Sequence, residues 1–539
     1  MTTELLLQEF HRIPDEPNSI ECLRQFVFAL AMRGRLSAPD LAGVRAPADH
    51  RPPAHLQKTR IEPYQLPREW RWSTTAEVGT ARLGKMLDKA KNRGTPRRYL
   101  RNINVRWFGF DLSDVKVMPF EDAELSEFEL RAGDVLICEG GEPGRAAVWD
   151  ARGSDVYFQK AVHRVRLNPE VLPLFLVYYL KSASYEGRLA PHATGATFQH
   201  LTGKGLATLP APVPPIDEQH RIVAKVDALM ALCDELEAAQ AEREARRDRL
   251  RTTSLRNLVA PKEPKENARF FLRHSARMII RPEHVAGVRQ AITDLAVRGR
   301  LLPQDPRDEP ASGFLGNRAL PVGPNARTPH GWCWTSLGRL GRVLGGGTPS
   351  KSQPEYWGGD IPWVTPKDMK RDRIANSIDH ISEAALAGSA VKLIRTGSLL
   401  MVVRGMILAH SFPTALTIAP VTINQDMKAL EPFDRRLAEM LLLLTKGRRV
   451  TSLGFVERST HGTGRLATHD VFDLPLPLPP LAEQHRILAK VSELMAVCDE
   501  LEQGLATEQT ERGRLLEALL RYALEAALPA REREPLGAR

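Results

Sequence analysis

PPIDEQHRIVAKVDALMALCDELE at 214–237 returns as PPLAEQHRILAKVSELMAVCDELE at 479–502, and RQFVFALAMRGRL at 24–36 returns as RQAITDLAVRGRL at 289–301. Both echoes have one offset: Pro215 falls on Pro480, Cys233 on Cys498 and Arg24 on Arg289, each 265 residues later. Two separate blocks at one spacing define a tandem duplication. Between the blocks the halves diverge, so a shared frame carries two unlike inserts. Each copy must therefore fold into a similar unit, and any difference in function must lie in the inserts.

The frame is helical. After Pro214 and Pro215, Ile222, Val226, Leu229, Cys233 and Leu236 follow 4-3-4-3 spacing, and Ile487, Val491, Leu494, Cys498 and Leu501 repeat it. That spacing makes an apolar seam on one face. The second seam continues through Leu505, Leu515, Leu519 and Tyr522. Prolines suit the turn before a helix, and Asp217, Glu218 and Glu483 suit its positive end. Each helix should run ~40 residues, or ~60 Å. The seam either packs on its own unit or pairs the two helices, and duplicated units related by a two-fold axis perpendicular to the helices would run them antiparallel.

The inserts read as α/β. DVLICEG (134–140), AAVWD (146–150), AVHRVRL (161–167) and SLLMVVRG (398–405) have strand composition, and LPLFLVYYLKS (172–182) and RRLAEMLLLLTK (435–446) read as short buried helices. The implied divisions are 1–65, an N-terminal helical frame segment; 66–212, the first insert; and 213–305, a central frame with a long helix at 216–258 and a repeat helix at 284–301. A linker follows at 306–326, then the second insert at 327–478 and a C-terminal frame at 479–539. The stretch 259–285 reads as a charged connection. Residues near 20–36 lack a helix before them and should pack by the end of the 481–524 helix, closing the frame into a ring.

Catalytic signatures are missing. GTARLGKM (79–86) fits GxxxxGK but ends in Met86 where a P-loop needs a hydroxyl for magnesium, and GGGTPSKS (345–352) fits no nucleotide fingerprint. No HExxH or GxSxG occurs. Five scattered cysteines in a 539-residue chain show no metal-ligand spacing, so no metal is expected and the thiols should be reduced. The first residues meet acids and prolines without a basic n-region, which argues against a secretory leader, and the scattered thiols argue for the cytoplasm.

Binding features are stronger. From 85 to 106, Lys85, Lys89, Lys91, Arg93, Arg97, Arg98, Arg101 and Arg106 face the single acid Asp88, with Tyr99, Asn102 and Asn104 interleaved. Cationic side chains neutralise phosphates, and Arg and Asn also bond guanine and adenine edges. In the second insert, Gly346 and Gly347 permit close backbone approach, and Thr348, Ser350, Lys351, Thr365, Lys367, Lys370 and Arg371 offer donors. Asp368 either anchors a loop or accepts from a cytosine amine. Arg145 and Arg465 sit on further glycine-bounded loops. Trp357 and Trp363 read as core.

Taken together, the order of variable insert, P-x-P-P-x-x-E-Q-x-x-I, long helix, RGRL block and second insert resembles the specificity subunit of type I restriction–modification systems. GKMLDKAKNRGTPRRYLRNINVRW and GGTPSKSQPEYWGGDIPWVTPKDM resemble its target recognition domains. The resemblance implies two α/β target recognition domains separated by long helices in an antiparallel coiled coil, each reading half of a split, asymmetric double-stranded DNA site. It implies that two methyltransferase subunits dock on the helices and methylate adenine with S-adenosylmethionine. Restriction (motor–nuclease) subunits would use ATP and magnesium, and this chain would hold no cofactor and do no catalysis. The alternatives are a tandem DNA-binding regulator without enzymatic partners, or a self-contained nuclease or NTPase, which the motif search disfavours.

Overall fold

A computed structural model describes residues 18–36, 63–88, 90, 92–151, 155–195, 199–260, 262–321, 328–448, 453–458 and 464–526. The chain divides into two compact units, Met1–Glu244 with Gln509–Arg539, and Ala245–Glu508. The helices that matter here are α1 (Ser19–Met32), α2 (Pro173–Tyr185), α3 (Ile216–Val259), α4 (Pro264–Met278), α5 (Val285–Val297), α6 (Ala438–Gly447) and α7 (Leu481–Ala526).

In the first unit, Arg71–Thr74 pairs antiparallel with Pro210–Val213 and closes the insert at its base. Inside lies a four-stranded antiparallel sheet ordered Gly79–Leu83, Val162–Leu167, Val135–Cys138, Ala146–Val148. A second sheet places Thr95–Leu100 between Lys116–Phe120, antiparallel, and Val156–Phe158, parallel. In the second unit Cys333–Ser336 pairs with Pro475–Leu478. Its larger sheet runs Gly341–Gly345, Met427–Pro432, Leu399–Val402, Thr414–Thr417, with Arg373–Ile374 added at the edge. Its smaller sheet places Trp357–Val364 between Asp379–Ile381, antiparallel, and Thr422–Ile423, parallel. The inserts share almost no sequence, yet apart from that added edge strand the order and direction of the strands in these two sheets are the same.

The repeated motifs hold each insert to the frame through equivalent bonds. In EQHRI, the glutamate accepts from a tryptophan at the insert base: Trp70 Nε1 donates to Glu218 at 2.9 Å, and Trp332 Nε1 to Glu483 at 2.9 Å. The next residue ties down the proline turn, with Gln219 donating to Pro214 O and Gln484 to Pro479 O, both at 2.9 Å. In RGRL, Gly34 (φ +66°) and Gly299 (φ +63°) end α1 and α5 in the left-handed region. A Cβ on Gly34 would lie 2.4 Å from Pro67, and one on Gly299 2.5 Å from Pro329, so no other residue fits. The following arginines reach the far end of a long helix: Arg35 donates to Leu524 O, and Arg300 to Val259 O at 2.9 Å. Arg24 pairs with Asp234 and Glu237, and Arg289 with Asp499 and Glu502.

The α1 helix does pack by the end of α7. Ile20, Leu23, Phe26 and Leu30 share a core with Cys233 of α3 and Leu516 and Leu520 of α7. In the second unit Leu255 and Leu258, near the end of α3, pack against the core that holds Ile487, Val491 and Cys498. The start of one long helix and the end of the other thus share each core, as in an antiparallel pair. The seam serves both purposes considered from sequence: Ile222, Val226 and Leu229 join their insert's core, while Cys233 and Leu236 meet α1 and α7.

Two expectations need correction. Leu501 is 39% exposed, and Leu515, Leu519 and Tyr522 also face outward, while Leu516 and Leu520 are buried. A straight helix drifts ~20° per heptad, so over the four heptads from Ile487 the buried stripe shifts by about one residue. The stretch 259–285 is more ordered than a connection. Pro264 opens α4, which buries Phe271 and Met278, two turns apart, and turns its charges outward. Gly79–Leu83 is a paired strand, so GTARLGKM is no phosphate loop. All five cysteines are free thiols. No helix among the described residues is long and apolar enough to cross a membrane.

Candidate nucleic-acid interface

The basic segments lie where the two sheets of each insert meet, and both inserts build that place in the same way. Gln159 N donates to Leu100 O (3.1 Å) and Asn424 N to Val364 O (3.0 Å), fixing the ends of the parallel strands. Just beyond each central strand a polar side chain closes a turn three residues back. Asn104 Oδ1 accepts from Arg101 N at 3.0 Å, and Asp368 Oδ2 accepts from Thr365 N at 2.8 Å. A glycine then lets another segment cross: a Cβ on Gly84 would lie 2.3 Å from Gln159 C, and one on Gly346 1.9 Å from Asn424 O. We expect Gly346→Ala to destabilise the second insert by about 1–3 kcal/mol through overpacking, while Gly347→Ala, whose nearest neighbour is 3.2 Å away, should cost less. Equal denaturation midpoints for wild type and Gly346→Ala would refute that.

This frame sorts the candidate residues into anchors and displayed groups. In the first insert Lys85 is buried; it pairs with Glu124 and donates to Pro119 O at 3.1 Å. Burial alone would raise the Glu124 pKa, but Lys85 and the Glu121 backbone N–H hold it below the usual carboxylate range. Tyr99 is core, and Asn104 is 2% exposed. Arg145 turns inward to Asn102 O (2.9 Å) and Glu142 (3.1 Å), and Asn102 Nδ2 donates to Gly140 O at 3.4 Å. Arg97 and Arg101 lie half-buried beside Asp155 (3.5 Å) and Asp114 (2.7 Å). Arg93, Arg98 and Arg106 stay exposed, the last 3.3 Å from Asp111. Lys89 and Lys91 lie outside the described residues.

The second insert displays more. Lys351, Thr365 and Lys367 line a cleft of about 620 Å³ together with Trp357, Trp363, Asp379, Asn424 and Asp426. Thr348 pairs with the Gln425 side chain, Ser350 with Ser352 at 2.7 Å, and Lys370 and Arg371 are exposed nearby in sequence. Gly346 and Gly347 approach the protein's own backbone: Gly347 N donates to Ile423 O (3.0 Å), and its carbonyl accepts from Trp363 Nε1 (2.9 Å). Trp363 is core as expected, with the half-buried Trp357 edge-on at 5.1 Å. Of its two readings, Asp368 takes that of loop anchor, also accepting from Ile378 N at 2.9 Å. Arg465 is exposed and opposite Arg404, whose guanidinium is 3.8 Å from Asp426 at the cleft.

The profile described as "Type I restriction modification DNA specificity domain" matches the chain twice, over residues 67–245 and 329–510. The chain belongs to this family. Each matched stretch starts just before the strand that closes an insert and ends within the following long helix. Over 176 residues the chain is 35% identical to the EcoR124I/EcoR124II specificity subunit of Escherichia coli, covering 32% of this chain and 44% of that one. With the E. coli EcoAI specificity subunit it shares 22% identity over 570 aligned positions, covering 94% of each. Among solved structures, the HsdS subunit from Thermoanaerobacter tengcongensis aligns at 22% identity and TM-score 0.40 over 86% of this chain and 99% of that chain. A chain from a type I R-M system solved to explain complex assembly aligns at 21% and TM-score 0.47 with the same coverage.

In this chain Gln159 and Lys160 of the first insert, and Asp379, Arg404, Asn424, Gln425 and Asp426 of the second, also stand at this place and were not among the sequence candidates. Gln159, Lys160, Asn424, Gln425 and Asp426 follow the parallel edge strands of the smaller sheets, Asp379 opens the antiparallel edge strand, and Arg404 follows Leu399–Val402 of the larger sheet. The signal available was INQD at 423–426, a polar run directly after a buried strand.

Proposed function

We propose that this specificity subunit reads a two-part, asymmetric double-stranded DNA site, one part with each insert, and seats methyltransferase and restriction subunits on its helical frame. The observation that carries the reading is one scaffold built twice with unlike side chains displayed at equivalent places. The target recognition domains would span 66–212 and 327–478. Arg93, Arg98 and Arg106 in the first, and Lys351, Lys367, Lys370, Arg371 and Arg465 in the second, would meet DNA, with Thr348, Ser350, Thr365 and Gln425 near the base edges. Lys85, Tyr99, Asn104, Arg145 and Asp368 would shape those surfaces from beneath.

The docking half rests on the frame. Leu232 and Val497 are 38% and 54% exposed, and Leu250 and Leu515 are 44% and 61% exposed. Each pair is 265 residues apart, so the same uncovered apolar groups recur on both long helices, as two copies of one partner would require. Those partners would bring S-adenosylmethionine, ATP and magnesium, and this chain would work in the cytoplasm with no cofactor or catalysis of its own.

Exchanging residues 66–209 for the equivalent insert of a relative tests the reading. Mapping of methylated adenines in cells holding the chimera and its methyltransferase should show one half of the site changed and the other kept. An unchanged site, or one changed in both halves, would reject one reader per insert.

A further inference from the structure

At the other end of the larger sheet in the second unit, away from the cleft, five arginines line one pocket that holds a single carboxylate. Arg318, Arg339, Arg342, Arg395 and Arg435 line a pocket of about 410 Å³ with Glu431. Glu431 is 4% exposed and lies 3.1 Å from Arg395 and 3.5 Å from Arg342. Arg339 bonds only weakly placed backbone oxygens, Asn317 O at 3.2 Å and Ala319 O at 3.4 Å. Arg318 stacks over the Phe433 ring at 4.1 Å, which fixes its plane at the rim. Arg342 and the glycine crossing at Gly346 stand at opposite ends of one strand, roughly 14 Å apart at 3.4 Å per residue. The pocket is therefore separate from the cleft.

The fold does not require this charge. In the first unit the same register positions hold Thr80, Arg166 and Asp134 in place of Arg342, Glu431 and Ser398. There Arg166 grips Asp134 through two bonds of 2.8 Å each, and the sheet end is closed by that pair. The second unit leaves several like charges around one acid, an arrangement that gains most from an added anion. Guanidinium forks match the oxygens of phosphate, which carries more charge and more acceptors than a carboxylate. A concave pocket of this size suits one or two phosphate groups, whereas a protein partner would need a broader surface with an apolar centre.

The geometry points to a phosphate-binding site here, independent of base reading, taking either a free phosphate compound or a backbone phosphate of DNA outside the recognised bases. The test uses the full chain and inorganic pyrophosphate in a calorimetric titration. Pyrophosphate should saturate one site and bind at least about tenfold more weakly to Arg339→Gln/Arg435→Gln, two arginines that do not hold Glu431. If the natural ligand is free, pyrophosphate still binds when a DNA duplex is saturating. If it is DNA, pyrophosphate competes with the duplex, and the double variant loses about two units of salt slope at 0.9 per phosphate. Melting temperature checks folding, and Arg342→Gln, read by the same criteria, replaces the double variant if that unfolds. Equal pyrophosphate and duplex binding by wild type and variant would overturn the site. So would loss of a protein partner alone, which would put an acidic protein surface there instead. Because the pyrophosphate titration needs no recognised DNA sequence, it can fail without touching the proposed function, and the insert exchange can fail without touching this site.

Discussion

Replacing Lys367, Lys370 and Arg371 together with alanine should weaken DNA binding about 10- to 100-fold near physiological salt and reduce the slope of log K against log salt by about 2.7, at 0.9 per phosphate contact. All three are exposed on the segment that leaves Thr365, so their removal leaves no buried group unpaired and the melting temperature should hardly move. The turn beneath them is held separately by Asp368 through Thr365 N and Thr365 Oγ1, both at 2.8 Å. Affinity should therefore fall without loss of fold. A uniform loss across DNA sequences would assign the three to phosphates, and a loss confined to the recognised sequence would assign at least one to a base edge. Unchanged affinity and slope would remove this segment from the interface.

Glu483→Ala is expected to destabilise the second unit by about 2–3 kcal/mol, among the larger effects of any single change in the frame. The carboxylate is 1% exposed and accepts from Trp332 Nε1 at 2.9 Å and Gln304 Nε2 at 3.3 Å. Alanine would strand the Trp332 donor, which is buried and could not turn to water, while Gln304 Nε2 would keep its bond to Gly299 O at 2.7 Å. The same group makes stability depend on pH. Burial raises the Glu483 pKa, and the bonds from Gln304 and Trp332 only partly offset it. A raised folded pKa means the folded state holds the proton more firmly than the unfolded chain. This contribution is thus full below the ordinary glutamate value and is lost as pH rises through the raised one. Glu483→Gln, which keeps an oxygen for Trp332, should flatten that pH dependence at smaller cost. Urea denaturation across the acid range checks both, and equal midpoints for wild type and Glu483→Ala would refute the anchoring role.

The parts of the fold that could be read from sequence were those that repeat. The prolines, the 4-3 seam and the acids of the first turn belong to local helix physics, and they placed α3 and α7 closely. The seam went out of phase from Leu501 onward because a fixed heptad count drifts from the 3.6-residue turn of a straight helix, so that Leu516 and Leu520, rather than Leu515 and Leu519, meet α1. The charged face of α4 hid Phe271 and Met278, whose burial depends on neighbours distant in sequence. Within the candidate site, counting basic residues marked segments but could not separate Lys85, which holds Glu124 from inside, from Arg98, which stays exposed. Exposure is set by the strands that cross the segment, and those strands are far apart in sequence, as the pairing of Lys85 with Gln159 and of Arg98 with Val156 shows.

The sequence by itself determined that one helical frame is built twice and that the two working surfaces differ. An exact offset of 265 leaves no other reading, and local periodicity specifies the helices. Only the tertiary structure decided that the two inserts share one sheet topology, because backbone pairing in a sheet tolerates nearly any side chains that keep the core apolar. It also decided why EQHRI and RGRL recur: the first bonds the base of each insert, and the second fits a left-handed glycine against a proline and carries an arginine to the end of the other long helix. Those bonds join residues up to 489 positions apart, and no local pattern records them.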